Sequence, residues 1–244
     1  MREITVNNWN ELVDAITIIT IENKCRMWFR GQADIKWGLL PTVKRKPYNI
    51  GEKEQYLAND FYIEIKRRMP NVPEKRSGQI SLMQHYGLPT RLLDWSESPL
   101  VALYFATSNW SEYPESDAAI WVLVPNRLNV LQGFGDYLYP MDKNAVLQLI
   151  EGAFKDKEEE NKVIACCGVE SDLRMYVQQA NFTVHDSEIP LEKFDKAEEF
   201  LVKLKIPAKN KQIMFEQLEL LGFRESTIFP DMEHISHELK EMFK

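Results

Sequence analysis

The sequence is poor in the residues that staple small secreted or metal-bound domains. It has three cysteines, Cys25, Cys166 and Cys167. An odd count with two adjacent members excludes a disulfide framework and fits a reducing compartment. The four histidines, His85, His185, His234 and His237, pair with no cysteine at short spacing, so no metal site is expected. Glycine (10) and proline (12) are too few among 244 residues for a collagenous or low-complexity chain. No run of 18 apolar residues occurs, which excludes a membrane-spanning helix. The opening MREITVNNWNELVDAI lacks the apolar centre of a signal peptide. A soluble, cytoplasmic protein with no membrane partner is therefore expected.

What is present is an ordinary globular composition, 44% hydrophobic and 27% charged. A chain of this length buries about 70–75% of the surface that it exposes when unfolded, so its core needs no staple. The net charge of −7 excludes general affinity for nucleic acid. Residues 1–110 carry 15 Lys+Arg against 12 Asp+Glu, whereas residues 111–244 carry 15 against 25. A mildly basic first half is compatible with an anionic ligand there, and equally with a chance division of solvated faces. There is no internal repeat and no Gly/Ser-rich linker. One α+β domain over residues 1–244 is expected, with a mixed central sheet flanked by helices.

Periodicity places the elements. Ile4–Val6 predicts a short strand, and Asn8 predicts the cap of a helix reaching about Ile19. Met27–Gly31 predicts a buried strand, residues 52–68 a helix with cations in its last turn, and Gln79–Tyr86 a short helix. Gly87–Arg91 predicts a loop, and Pro99–Trp110 a helix with proline near its first turn. Ala119–Val124 and Phe182–Val184 predict strands, and Leu201–Ile206 an alternating one. Residues 141–160 predict a helix ending in the charged run 155–160. Asn210–Leu221 predicts a helix stopped by Gly222, and Met232–Phe243 a final one.

Three stretches are denser in polar and special residues than a core requires. In Trp28-Phe29-Arg30-Gly31-Gln32, an arginine inside an apolar strand is costly to bury unless it meets an anion. Its planar fork suits phosphate or carboxylate, and an internal pair with Asp94 is the alternative. Gly31 permits close approach of backbone or ligand. The stretch Gln84 to Ser96 gathers His85, Tyr86, Thr90, Arg91, Asp94, Trp95 and Ser96 around a loop held by Gly87 and Pro89. Rigidly held loops commonly carry sites, but Asp94 as a helix cap and Trp95 as plain core are the structural alternatives. Gln178 and Gln179 precede the strand at Phe182 and could read a planar ligand or satisfy a strand edge. Arg224–Asp231 predicts a turn into the last helix.

These residues resemble the FRG domain, a family named for a Phe/Tyr-Arg-Gly motif, here Phe29-Arg30-Gly31. The second block, Gly87, Pro89, Thr90, Arg91, Leu93, Asp94 and Trp95, is the more specific. Ser226–Asp231 is similar to the usual end of such proteins. The resemblance places a family core at about 22–125, with 126–244 completing the same fold. It implies a bacterial or phage setting and a toxin or anti-phage role. A weaker resemblance, to arginine-type ADP-ribosyltransferases, rests on the Arg-Gly at a strand end, where the family's arginine contacts NAD phosphates. Those enzymes carry a catalytic glutamate before a later strand, and here Gln178 and Gln179 stand in that place. Glutamine can hold a ribose hydroxyl but supplies no negative charge, so either Asp94 or Glu225 serves, or the chemistry differs, or the site only binds.

Two readings follow. In one the protein is an NAD-using ADP-ribosyltransferase-like effector modifying a macromolecular acceptor or partner protein, or a small molecule. Arg30 and Arg91 hold the pyrophosphate, with Phe29, Gly31, Gln32 and Thr90 around the ligand. Tyr86 or Trp95 stacks on a ring, and His85 binds the ribose. Asp94 orients Arg30 or stabilises the cationic intermediate, and Gln179 replaces the catalytic glutamate. In the other reading the same residues form a non-catalytic module sensing an anionic nucleotide-like ligand or nucleic acid. Lys44-Arg45-Lys46, Lys66-Arg67-Arg68 and Lys75-Arg76 would extend that surface, unless they are solvated charges. Both readings require Arg30, Arg91 and Asp94 to converge on one open pocket.

Overall fold

The computed structural model describes residues 1–48, 50–157, 160–168, 173–241 and 243, with the backbone alone at 52 and 241. Its strands are β1 (Arg2–Thr5), β2 (Trp28–Gln32), β3 (Leu92–Ser96), β4 (Ala118–Leu123), β5 (Tyr139–Pro140), β6 (Lys162–Cys167), β7 (Ala180–Asp186) and β8 (Leu201–Ile206). The helices are α1 (Trp9–Asn23), α2 (Glu54–Arg68), α3 (Arg76–His85), α4 (Pro99–Thr107), α5 (Pro125–Leu131), α6 (Asn144–Ile150), α7 (Leu173–Val177), α8 (Ala208–Leu220), α9 (Glu225–Ile228) and α10 (Met232–Glu241). The strands form one sheet in the order β1-β8-β4-β2-β3-β7-β6-β5. Both outer pairs are parallel and the inner ones antiparallel, so the sheet is mixed. Helices flank it, and the fold is a single α+β domain.

Local chemistry explains the clearest elements. Asn8 caps α1 by accepting from the Glu11 N–H at 3.0 Å, and Glu11 accepts in return from the Asn7 N–H at 2.9 Å. β4 is apolar throughout because both of its faces are buried. β8 alternates: Val202, Leu204 and Ile206 enter one core, while Lys203 on the other face lies 4.6 Å from the Trp121 ring centroid.

The two faces of the sheet differ. One carries a core that crosses it, with Trp28, Trp95, Trp121, Val163 and Leu201 in one cluster. The other carries two separate cores. Phe29, Ile120 and Leu204 pack with α1, α4 and α8. Leu92, Phe182 and Ile164 pack with α2, α3 and α6. This division falls where β2 meets β3. β2 pairs with β4 along its whole length, but among the described residues it pairs with β3 at one position, Phe29 opposite Ser96.

Several boundaries depart from expectation. The polar block containing Asp94 enters β3, and Ser98 rather than Asp94 caps α4. The helix expected over 141–160 is shorter: α6 ends at Ile150 in a 3-10 turn, Glu151–Ala153, and β6 follows. Of the charged run 155–160, residues 158 and 159 lie outside the described residues. So does residue 242, within the helix expected to reach Phe243.

Candidate functional site

A cleft of about 220 Å³ opens at the seam between β2 and β3. Its floor holds Phe29, Arg30 and Gly31 from β2, and Asp94 and Ser96 from β3. α4 contributes Val101, Ala102 and Phe105, and α3 contributes Ser81, Gln84 and His85. A third wall comes from far along the chain: Arg174, Met175 and Gln178, with Phe182 of β7. The cleft therefore occupies the gap between the two separate cores. Gly31 is what lets α4 lie so close. A Cβ there would stand 1.9 Å from the Ala102 carbonyl oxygen and 2.6 Å from the Ala106 nitrogen. The close approach foreseen at Gly31 is thus made by helix backbone.

Arg30 is the chemically unusual residue. Its side chain is only 17% exposed. Nη1 donates to the Asp94 carbonyl oxygen at 2.7 Å, while the nearer Asp94 carboxylate oxygen is 3.9 Å away. Its buried Nε finds no partner among the described residues. Burial lowers its pKa to about 10; Asp94 opposes the shift and Arg45 adds to it. The guanidinium remains charged at neutral pH but is poorly neutralised. The internal pair with Asp94 exists mainly through main chain, because the Asp94 carboxylate is held elsewhere. Both of its oxygens accept from Gln84 Nε2, at 2.9 and 2.8 Å. Gln84 is oriented in turn by Thr90, whose hydroxyl donates to its Oε1. Asp94 keeps 51% of its side chain exposed. It remains an open carboxylate beside a buried cation.

Of the residues expected at the site, Phe29, Arg30, Gly31, His85, Asp94 and Trp95 border this cleft. Arg91 does not, so the required convergence holds for Arg30 and Asp94 but fails for Arg91, and both readings fail in the form that needs Arg91. Arg91 is buried and fully engaged: Nε and Nη2 donate to Glu54 at 3.1 and 2.7 Å, and Nη1 donates to Asp186 at 2.9 Å and to the Leu149 carbonyl at 2.8 Å. Burial alone would lower its pKa, but Glu54 and Asp186 outweigh it and hold it above the usual arginine value. Gln32 does not line the cleft, and its Oε1 accepts from Trp121 Nε1 at 2.7 Å. Thr90 acts behind Gln84. Tyr86 is 59% exposed outside the cleft, edge-on to His85. Trp95 is buried, with its Nε1 donating to the Thr183 hydroxyl at 3.0 Å, so it offers no free face for stacking. Gln179 takes a left-handed φ of 48° and is exposed, leaving Gln178 as the glutamine at the cleft.

The sequence reading missed Arg174, Phe105 and the role of Gln84. Arg174 and Gln178 are spaced i and i+4, a pattern that marks one helical face had the short helix been foreseen. Most cations of the three basic stretches are engaged internally. Lys44 pairs with Glu188 at 2.9 Å, Lys75 with Asp142 at 2.9 Å, and Arg67 and Arg68 with Glu64. Arg76 lies 4.4 Å from the Phe154 ring centroid. Arg45 stays near the site: burial lowers its pKa and the Asp94 carboxylate opposes that. Among the described residues, no group of three or more His, Cys, Asp or Glu is placed to hold a metal, and no helix is long and apolar enough to cross a membrane.

Residues 25–115 match the family model of the FRG domain. That interval supplies the floor and the α3 and α4 walls of the cleft, while the Arg174 wall lies beyond it. No curated protein and no solved structure matches the chain.

Proposed function

We propose that this chain, which carries an FRG domain, uses the cleft to bind an anionic, ring-bearing nucleotide, with NAD as the substrate of ADP-ribosyl transfer. The observation that supports it most is Arg30, a cleft-lining residue whose guanidinium is nearly buried and poorly neutralised. A phosphate would complete its charge balance. Arg174 supplies a second cation, in the role first given to Arg91. Phe105, which is partly exposed in the cleft, offers an apolar face to a ring. As the bond between ribose C1′ and nicotinamide breaks, the electron pair leaves with nicotinamide and positive charge develops on the ribose. Asp94 is the carboxylate available to stabilise that charge. His85 and Gln178, which line the cleft, are assigned to the ribose hydroxyls in this reading. The acceptor's nucleophile then bonds to C1′ and releases its proton. A toxin or anti-phage role fits this reading and rests on the family resemblance alone.

One observation favours a non-catalytic sensor. The negative charge usual at the glutamate position is absent, and the Asp94 carboxylate is held by Gln84. Incubation with NAD separates the two readings. Nicotinamide release by wild type, lost in Arg30→Ala and Asp94→Asn, is the expected result. NAD binding without release, abolished in Arg30→Ala, would leave the sensor. Absence of binding would overturn both. If DNA or RNA is the ligand instead, its affinity must weaken steeply as salt rises.

A further inference from the structure

We propose that the C-terminal segment from α9 to Phe229 is a working part of the cleft, and that Phe229 is the positioning residue for Arg174. This rests on reading the cleft as a site for an anionic nucleotide. Two independent contacts carry it. The Arg174 guanidinium carbon lies 4.8 Å from the Phe229 ring centroid. One helical turn on, Gln178 Nε2 donates to the Ile228 carbonyl oxygen at 3.1 Å. Both polar side chains of the third wall are therefore tied to consecutive residues of the same distant segment. Phe229 is itself held from the cleft side, edge-on to Phe105 at 5.9 Å, and Ile228 is fully buried in the core.

The physical consequence is pre-organisation. A free arginine side chain loses rotamer freedom when it grips a ligand, and a ring that already holds the guanidinium removes part of that cost. Cation–π contact leaves the edge N–H groups of the fork free to donate to phosphate oxygens. The Gln178 amide, with its N–H₂ anchored on Ile228, presents its carbonyl oxygen as an acceptor. In this way a segment outside residues 25–115 sets how firmly the site grips the phosphate part of its ligand.

The test is calorimetric binding of ADP-ribose, used as the probe, to the full chain and five variants. Phe229→Leu keeps an apolar side chain but removes the π face. It should weaken binding about fivefold, the order of the freedom that one long side chain loses on being ordered. Phe229→Tyr keeps the face and should restore wild-type affinity. Arg174→Met should weaken binding, and adding Phe229→Leu to it should weaken it no further. Wild-type affinity in Phe229→Leu, with Arg30→Ala still deficient, would overturn this proposal alone. Equal loss in the Leu and Tyr variants would reduce Phe229 to packing and also overturn it. Failure of the wild type to bind would overturn the reading of the cleft, and this inference with it.

Discussion

His185 shows how surroundings set the protonation of a single side chain. It is wholly buried, and its Nε2 lies 2.9 Å from the Thr183 hydroxyl. That hydroxyl also accepts from Trp95 Nε1, so it ties the two side chains together. The ring Nδ1 has no partner among the described residues. Burial first, then Arg30, Lys44 and Arg91, depress its pKa to about 3. A depressed histidine pKa means that the unfolded chain takes up a proton which the folded chain refuses. The resulting stability is complete above the unfolded pKa near 6.5 and is lost as pH falls from there towards 3. Between pH 6.5 and 5 this group should cost the wild type about 2 kcal/mol. Urea denaturation at several pH values should show a shallower acid slope for His185→Gln. Parallel slopes would refute the buried neutral state.

At the scale of elements, the contact of α4 with β2 decides where the cleft can open. Because Gly31 has no side chain, the helix backbone lies directly on the strand. Gly31→Ala would force the two apart and should cost about 3 kcal/mol or more in chemical denaturation. Gly87 is a useful contrast. Its φ is +74° and no atom lies within 4 Å of its missing Cβ, so Gly87→Ala should cost only the conformational penalty, about 1 kcal/mol. Equal losses would show that the α4 approach is not what requires Gly31. Elements with strong local signals were legible in sequence: capped α1, apolar β4, alternating β8. β3 was not, because its five residues carry Asp94 and follow directly on a Gly-Pro loop. Strand pairing with β7 on one side outweighs those local cues.

Across the whole molecule, the uneven charge becomes internal complementarity. Cations of the first half meet carboxylates of the second in Lys44–Glu188, Lys75–Asp142 and Arg91–Asp186. Arg91 is the strongest of these ties, since it joins the start of α2, the end of α6 and the end of β7. Arg91→Met would leave Glu54 and Asp186 buried without their cation and should cost about 3–5 kcal/mol of stability. Arg30→Ala should do the reverse, leaving the denaturation midpoint little changed while removing ligand binding. Loss of binding in a folded Arg91→Met protein, with stability intact, would return Arg91 to the site.

Taken alone, the sequence determined the α+β class, most of the strongly periodic elements and the two motif blocks that line the cleft floor. Those properties depend on neighbours within a few residues, through caps, periodicity and φ preferences. It also singled out both arginines, but it could not separate them. Arg91 is neutralised by residues 37 and 95 positions away, and Arg30 finds chiefly a carbonyl oxygen across the seam. Which guanidinium is spent on the fold and which stays open to a ligand is a matter of long-range pairing. The same holds for Arg174, brought to the cleft by a wall that lies outside both motif blocks. Tertiary structure decided these assignments because the energy of a buried charge is set by the groups around it in space.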